Sequence, residues 1–409
     1  MDYNKIMSNQ NIQVYGYRWI VLLLFFFTNV ISNMLWTMYA PVTSLAMEFY
    51  DVEEFYIILI SLMFLIVYIP ITFLASWLID KYDFKVGAGI GALLMGLFGF
   101  LRYIADNNYI LALIYSIGIA TAQPFLLNTI TKLSANWFPN KERTTATGIS
   151  LIATSIGIAL GMIITPILVI GFNFRSMLLM YGILALASSS LFLIFAKNNP
   201  PTPPSSNATT ERVFMFEGLR MLFSNRNFMI LAIIFFLSMG VFNMIMTYIE
   251  LIVIPRGYNS IFAGILGMLL ILGGIIGTVV MAVLSDILNK RKIIMVISLL
   301  IATISLLVFS FTSDEILLLT SGFFFGFGLM GAGPLALEYA VDATKPVPEA
   351  SSNGMLMMVG CLGGILLIIS LENVKISGDY FPALIIQTIL LLFCFILAFF
   401  AKEFKVREE

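Results

Sequence analysis

Residues 55–83 read FYIILISLMFLIVYIPITFLASWLIDKYD. No charged side chain interrupts the run from Phe55 to Ile79, and it stops on Asp80-Lys81-Tyr82-Asp83. A helix needs about 20 apolar residues to cross the hydrocarbon core of a bilayer. This stretch is therefore one crossing, ended by a charged interfacial turn. Pro70 is no obstacle, because neighbouring helices satisfy freed backbone groups inside a membrane.

Eleven further runs read the same way. The set lies near residues 18–42, 55–79, 87–104, 109–133, 144–170, 175–196, 227–253, 259–284, 293–312, 315–341, 351–372 and 379–401. Only 11% of the 409 residues are charged, against about 25% in an ordinary soluble domain. Twelve crossings and their connections use up this length. A soluble helical bundle with a buried core does not explain so many runs of this size.

The charged turn also recurs. Asp80 follows Leu78-Ile79, and Asp286 follows Leu284-Ser285, 206 residues later. The same offset separates Gly148 from Gly354 and Lys132 from Glu338. The fold class expected is an all-α membrane protein whose twelve transmembrane helices form two pseudo-symmetric six-helix halves. Residues 1–196 make the first half, 197–226 a connecting linker and 227–409 the second half. Parallel repeats of this kind place a substrate site between the halves near mid-membrane.

The linker opens on Asn198-Asn199-Pro200-Pro201-Thr202-Pro203-Pro204, which cannot be helical. From Glu211 to Phe223 charges alternate with Phe214, Phe216, Leu219 and Leu222. An amphipathic helix on the inner membrane face and a plain tether both fit this pattern.

Lys and Arg in the loops set the orientation. With the amino terminus inside, the inner loops hold every basic residue except Arg102, Arg175, Arg256 and Lys375. Both termini are then cytoplasmic, and the cell membrane is the expected location. Residues 1–16 are polar and the first run is long, so no cleaved signal peptide is expected. The net charge of −1 offers nothing to nucleic acid. Cys361 and Cys394 both fall within spans, and histidine is absent. Neither a disulfide framework nor a metal cluster fits that placement, and no cofactor is expected. Nucleophile elbows and phosphate loops are also missing, which argues against an enzyme.

Several segments carry a resemblance. The loop Ser76-Trp77-Leu78-Ile79-Asp80-Lys81-Tyr82-Asp83-Phe84-Lys85, and Trp137-Phe138-Pro139 followed by Glu142-Arg143 and Ala146-Thr147-Gly148, resemble the major facilitator superfamily. Ser76 and Asp83 replace two glycines usual in the first motif. A narrower similarity, to the feline leukaemia virus subgroup C receptor family of choline, ethanolamine and haem-related carriers, rests on several further matches. These are Arg18-Trp19, Trp36, Tyr68-Ile69-Pro70, Gln123, Gly157-Ile158-Ala159-Leu160-Gly161 and Pro334-Leu335-Ala336-Leu337-Glu338-Tyr339-Ala340-Val341. The resemblance implies that Trp36 faces a substrate ammonium. Ser155 and Cys361 stand where choline-transporting members have glutamines. Thr247 aligns with their span-seven tyrosine, with Tyr248 beside it.

Polar residues inside the spans supply the candidates. Asn29, Asn33 and Trp36 share one face of span one, and Asn243, Thr247 and Glu250 share the matching face of span seven. A substrate pocket is expected to draw on Asn33, Trp36, Gln123, Ser155, Asn243, Thr247, Tyr248 and Cys361. An aromatic box attracts an organic cation by about 0.5–2 kcal/mol per ring. The same amides also serve as interhelical glue, and Gln123 sits beside Pro124, whose missing N–H frees a carbonyl.

Ionisable groups within spans mark function by default. Asp80 with Lys132, and Asp286 with Glu338 and nearby cations, are expected to hold the inner ends of the halves together when the carrier opens outward. Asp342 lies four residues beyond Glu338 on the same face. Proton coupling is the other reading for Glu338 and Glu250. The expected function is transport of a small organic solute, an organic cation or amino alcohol first, by alternating access in a monomer. Drug/proton or monocarboxylate transport is the alternative, and a transport-fold sensor a distant one.

Overall fold

The computed structural model describes residues 14–202, 221–288, 290–345, 347, 349–371, 374 and 380–402, with backbone alone at 349–351. Every regular element among them is helical. Among the described residues twelve helices are long and apolar enough to cross a membrane. In chain order they are α1 (Tyr17–Tyr50), α2 (Glu54–Tyr82), α3 (Phe84–Ile104), α4 (Tyr109–Trp137), α5 (Asn140–Gly171) and α6 (Phe174–Phe195). Then follow α7 (Arg226–Thr247), α8 (Ser260–Leu288), α9 (Arg291–Phe311), α10 (Glu315–Thr344), α11 (Glu349–Leu371) and α12 (Phe381–Ala398). An even number of crossings returns the chain to the face where it began. That side is the terminal face below, and the other is the far face.

Local chemistry sets the boundaries. Asn108 accepts from the Leu111 amide at 3.1 Å to start α4, and Asp314 accepts from the Leu317 amide at 3.0 Å to start α10. Such caps contribute about 1 kcal/mol each, and these two share the 206-residue offset. α1 is broken: its first helix ends at Thr37, a 3₁₀ turn spans Ala40–Val42, and a second helix runs from Thr43 to Tyr50. Pro41, within that turn, has no N–H to continue an α-helical ladder. α7 likewise stops at Thr247 and resumes as Ile249–Val253.

Packing repeats with the sequence. α1 packs on α5 as α7 packs on α11, and α2 on α4 as α8 on α10. α3 joins α4 and α6 as α9 joins α10 and α12. Two glycines explain the closeness of the first pair. A β-carbon on Gly157 would collide with the Val30 carbonyl, and one on Gly363 with the Phe236 carbonyl. Gly157 and Gly363, and likewise Val30 and Phe236, are 206 residues apart. Small residues let membrane helices approach this closely.

One apolar cluster is built from the first six helices and another from α7 to α12 with their flanks. A third straddles the two sets, with Ile58, Leu62, Leu65, Ile158 and Met162 against Met244, Ile249, Leu266 and Ile368. Across that joint α5 packs on α8 and α2 on α11. Gly264 meets Met162 and Pro166 there, toward the far face.

At the terminal face the chain leaving α6 is fastened down. Asn198 Nδ2 donates to Asp83 Oδ2 at 3.1 Å, its Oδ1 accepts from the Lys85 amide, and Trp137 Nε1 donates to the Lys197 and Asn198 carbonyls. The amphipathic stretch expected from Glu211 to Phe223 lies outside the described residues except for 221–223, which are helical.

Candidate functional site

A small cavity of about 20 Å³ lies between the two sets of six helices. It is lined by Trp36, Thr37 and Ala40 of α1, Ser61 of α2, Ile158 and Met162 of α5, and Phe242, Asn243, Met246 and Thr247 of α7. Three pairs in that lining are repeat equivalents: Trp36 with Phe242, Thr37 with Asn243, and Ala40 with Met246. Each pair is separated by the offset of 206 residues, so the cavity sits across the pseudo-two-fold axis. None of these lining residues is charged. The cavity holds one or two waters at this size, so a solute enters only when its walls part.

One turn farther out, the same register brings Ser44 against its equivalent Glu250. The Ser44 amide donates to Glu250 Oε2 and the Ser44 hydroxyl to Oε1, both at 2.7 Å. Ser260 Oγ adds a bond to Oε1 at 2.5 Å. Glu250 is 0% exposed. A carboxylate removed from water costs several kcal/mol unless donors replace its hydration, and these three do so. Glu250 thus reaches no interface of its own, unlike a residue at a free helix end. A second bond ties the same face: Tyr380 of the α12 approach donates to Glu54 Oε1 at 2.7 Å. The Tyr248 ring lies tilted against that of Tyr380, with centroids 5.9 Å apart.

Of the pocket residues expected from sequence, Trp36, Asn243 and Thr247 line the cavity and the other five stand elsewhere. Asn33 is fully buried and donates to the Asn29 carbonyl at 2.8 Å, while Asn29 donates to Ser150 O and Thr154 Oγ1 of α5. The Asn29 amide thus binds α1 to α5, and that of Asn33 bonds within α1. Tyr248 is buried and donates to the Ile368 carbonyl of α11 at 3.3 Å. Gln123 is buried in α4, and Ser155 and Cys361 are half-buried beyond the cavity lining. Asn243 donates to the Met239 carbonyl at 2.7 Å, which leaves its amide oxygen available. Thr37, Ser61, Phe242 and Met246 escaped sequence reading. Carrying Trp36, Thr37 and Ala40 forward by the repeat offset would have found their three partners.

The expected charge pairs at the terminal face take a different form here. Lys132 Nζ donates to the Ile79 carbonyl at 3.2 Å, beside exposed Asp80. Glu338 pairs with a neighbouring cation, Arg291, at 2.8 Å, while Asp286 is exposed. Arg291 also pairs with Asp342, and Lys345 meets Asp342 at 2.8 Å. All of these contacts stay within one set of six helices. Arg102, counted among the outer-side basic residues by sequence, is 1% exposed in the far-face end of α3.

A Major Facilitator Superfamily profile matches residues 25–368. Solute carrier family 49 member A3 of Xenopus tropicalis is 30% identical over 379 residues, covering 88% of this chain and 78% of that protein. The choline/ethanolamine transporter flvcr2a of Danio rerio is 26% identical over 373 residues, covering 86% and 79%. Among solved structures, a bacterial homologue of the human lysosomal transporter Spinster, inward-facing and occupied, superposes with a TM-score of 0.73. It is 12% identical, covering 95% of this chain and 97% of that one. The E. coli fucose:proton symporter FucP gives a TM-score of 0.66 at 18% identity, covering 95% and 100%. These two likenesses concern the fold.

Proposed function

The chain belongs to the Major Facilitator Superfamily, alongside solute carrier family 49 and the feline leukaemia virus subgroup C receptor carriers, and on that premise we propose that it transports a small organic cation or amino alcohol by alternating access. It is a multi-pass membrane transporter; the substrate class and mechanism are our reading. The observation that carries it is the axial cavity, where Trp36 and Phe242 face one space with Thr37, Asn243 and Thr247 and no charged side chain. Indole and phenyl faces attract an alkylammonium, while the hydroxyls and amide suit an alcohol or amine group. A carboxylate substrate would call for a cation in the lining. The printed activities of relatives such as flvcr2a, choline and ethanolamine transport, agree with this chemistry.

In this reading residues 1–196 and 227–409 move as two bodies about the cavity, joined by 197–226. Both termini are cytoplasmic, so the far face is external. The Ser44–Glu250 and Glu54–Tyr380 bonds then close the external side. Asp80, Lys132, Asp286, Glu338 and Asp342 are left to pair across the internal side when it closes. Asn33, Gln123, Ser155, Tyr248 and Cys361 support the cavity from outside its lining. Transport needs no cofactor, and the unit is a monomer in the cell membrane.

A panel of choline, ethanolamine and monocarboxylates in a thermal-shift assay of the purified protein tests this. Stabilisation by the first two, lost in Trp36→Ala, is the expected result. Stabilisation by monocarboxylates alone, or a shift unaffected by Trp36→Ala, refutes it. A second reading, proton-coupled transport, draws on Glu250, a buried carboxylate at the joint of the moving bodies. Uptake into liposomes with and without a pH gradient separates it from uniport.

A further inference from the structure

We propose that Arg102 is a positioning residue that fixes the break in α1 and so sets the place of Trp36 in the axial cavity. The inference rests on the pocket reading above for its functional meaning, but the geometry stands without a solute.

Arg102 is the largest fully buried side chain described. Its guanidinium reaches from α3 to the point where α1 stops being α-helical. Nη1 donates to the Leu35 carbonyl at 3.3 Å and meets Met38 Sδ at 2.9 Å. Nη2 donates to Ser116 Oγ of α4 at 2.9 Å, and that hydroxyl donates onward to the Ala112 carbonyl. The charge lies 5.3 Å from the centre of the Tyr39 ring, whose hydroxyl is bonded to that of Tyr50 at 2.9 Å. Leu35, Met38 and Tyr39 bracket Trp36 and Thr37 and adjoin Ala40; Trp36, Thr37 and Ala40 line the cavity. One side chain therefore holds both sides of the Trp36–Thr37 pair and the residue before Ala40.

The cost of this arrangement separates it from ordinary packing. Arginine stays protonated in proteins, and a buried charge without a partner of opposite sign is expensive. No carboxylate is among the contacts above, and Nε is buried without a hydrogen-bond partner. Asp106, nearby in the loop, is paired with Arg175 at 3.5 Å. Apolar side chains would fill the space more cheaply. What they would not supply is a planar fork that binds a carbonyl of one helix and a hydroxyl of another in fixed directions. A broken membrane helix leaves backbone groups that need such partners.

The test is acrylamide quenching of Trp36 in detergent without solute. The Trp36 contribution is the difference between each protein and its Trp36→Phe derivative. In Arg102→Met the Trp36 quenching constant should rise about twofold or more, because losing hydrogen bonds to a charged group shifts a local equilibrium by roughly tenfold. Quenching of the remaining tryptophans should stay unchanged. Arg102→Lys, which keeps the charge but not the fork, should fall between the two. Should Arg102→Met fail to fold, Arg102→Lys and Ser116→Ala carry the same comparison. An unchanged Trp36 constant in a folded variant overturns the proposal, and so does an equal rise for all tryptophans. Failure of choline to bind would refute the pocket reading and leave this result standing.

Discussion

Ser44 and Glu250 hold the same place in the two repeats and are bonded to each other, through both the amide and the hydroxyl of the serine. Contact between repeat equivalents lies on the axis that relates them. The bond therefore marks where that axis runs from the cavity toward the far face. It joins the two bodies whose separation on that side would expose the cavity.

Removing the charge should loosen that face. Hydrogen bonds to charged groups contribute about 1.5–3 kcal/mol, so Glu250→Gln is expected to shift the far-face opening equilibrium by roughly tenfold. Ala40→Cys, placed in a background without Cys361 and Cys394, reports the opening through its rate of modification by an impermeant maleimide. Ser44→Ala should have a smaller effect, since the amide bond survives. Equal rates with and without Glu250 would sink the latch.

Trp36 should grade with its ring. Phenylalanine keeps an aromatic face, whereas alanine removes the cation–π attraction of about 0.5–2 kcal/mol together with the ring's contact area. Choline affinity, measured by calorimetry or scintillation proximity, is expected to fall severalfold in Trp36→Phe and more than about tenfold in Trp36→Ala. An alanine variant that binds as tightly as the parent would remove Trp36 from the site.

The paired glycines should not tolerate bulk. Gly157→Val and Gly363→Val each drive a side chain into a facing carbonyl. Overpacking of this kind costs about 1–3 kcal/mol or more, so both variants should melt well below the parent or fail to assemble. Gly148 and Gly354 meet nothing within 4 Å of a β-carbon. Alanine at either should leave the melting temperature within a degree or two of the parent, consistent with about 0.5–1 kcal/mol in favour of alanine over glycine in a helix. A marked loss at the open pair would contradict this packing.

Glu338 and Asp342 should differ in stability although both bind Arg291. The Glu338 side chain is 58% exposed and Asp342 20%. Exposed ion pairs contribute about 0–1 kcal/mol, so Glu338→Gln is expected to be nearly silent in thermal melts, while Asp342→Asn, which loses partners at both Arg291 and Lys345, should be the more damaging. If uptake is pH-dependent, Glu338→Gln should leave that dependence intact. A lost pH response would assign Glu338 a proton-carrying role.

The twelve crossings were legible because length and apolarity are properties of each segment alone. The 206-residue offset was legible too, since charged turns such as those at Asp80 and Asp286 are local. Helical spacing found Trp36, Asn243 and Thr247, but it could not orient the polar stripe. Asn29 and Asn33 face α5, and the cavity side of α1 runs instead through Trp36, Thr37, Ala40 and Ser44. Tyr248, beside Thr247 in sequence, stands at the break in α7 and bonds to α11. Those directions depend on which helix packs where and on the break at Pro41, which no single-segment pattern contains.

Across its axis the cavity has matched positions and unmatched contents: indole against phenyl, hydroxyl against amide, methyl against thioether. A chamber copied from one template begins without a head or a tail. Divergence of these few side chains hands it a polarity, so a guest with two unlike ends has one preferred way round. Exchanging the residues of a matched pair should reverse that guest rather than evict it.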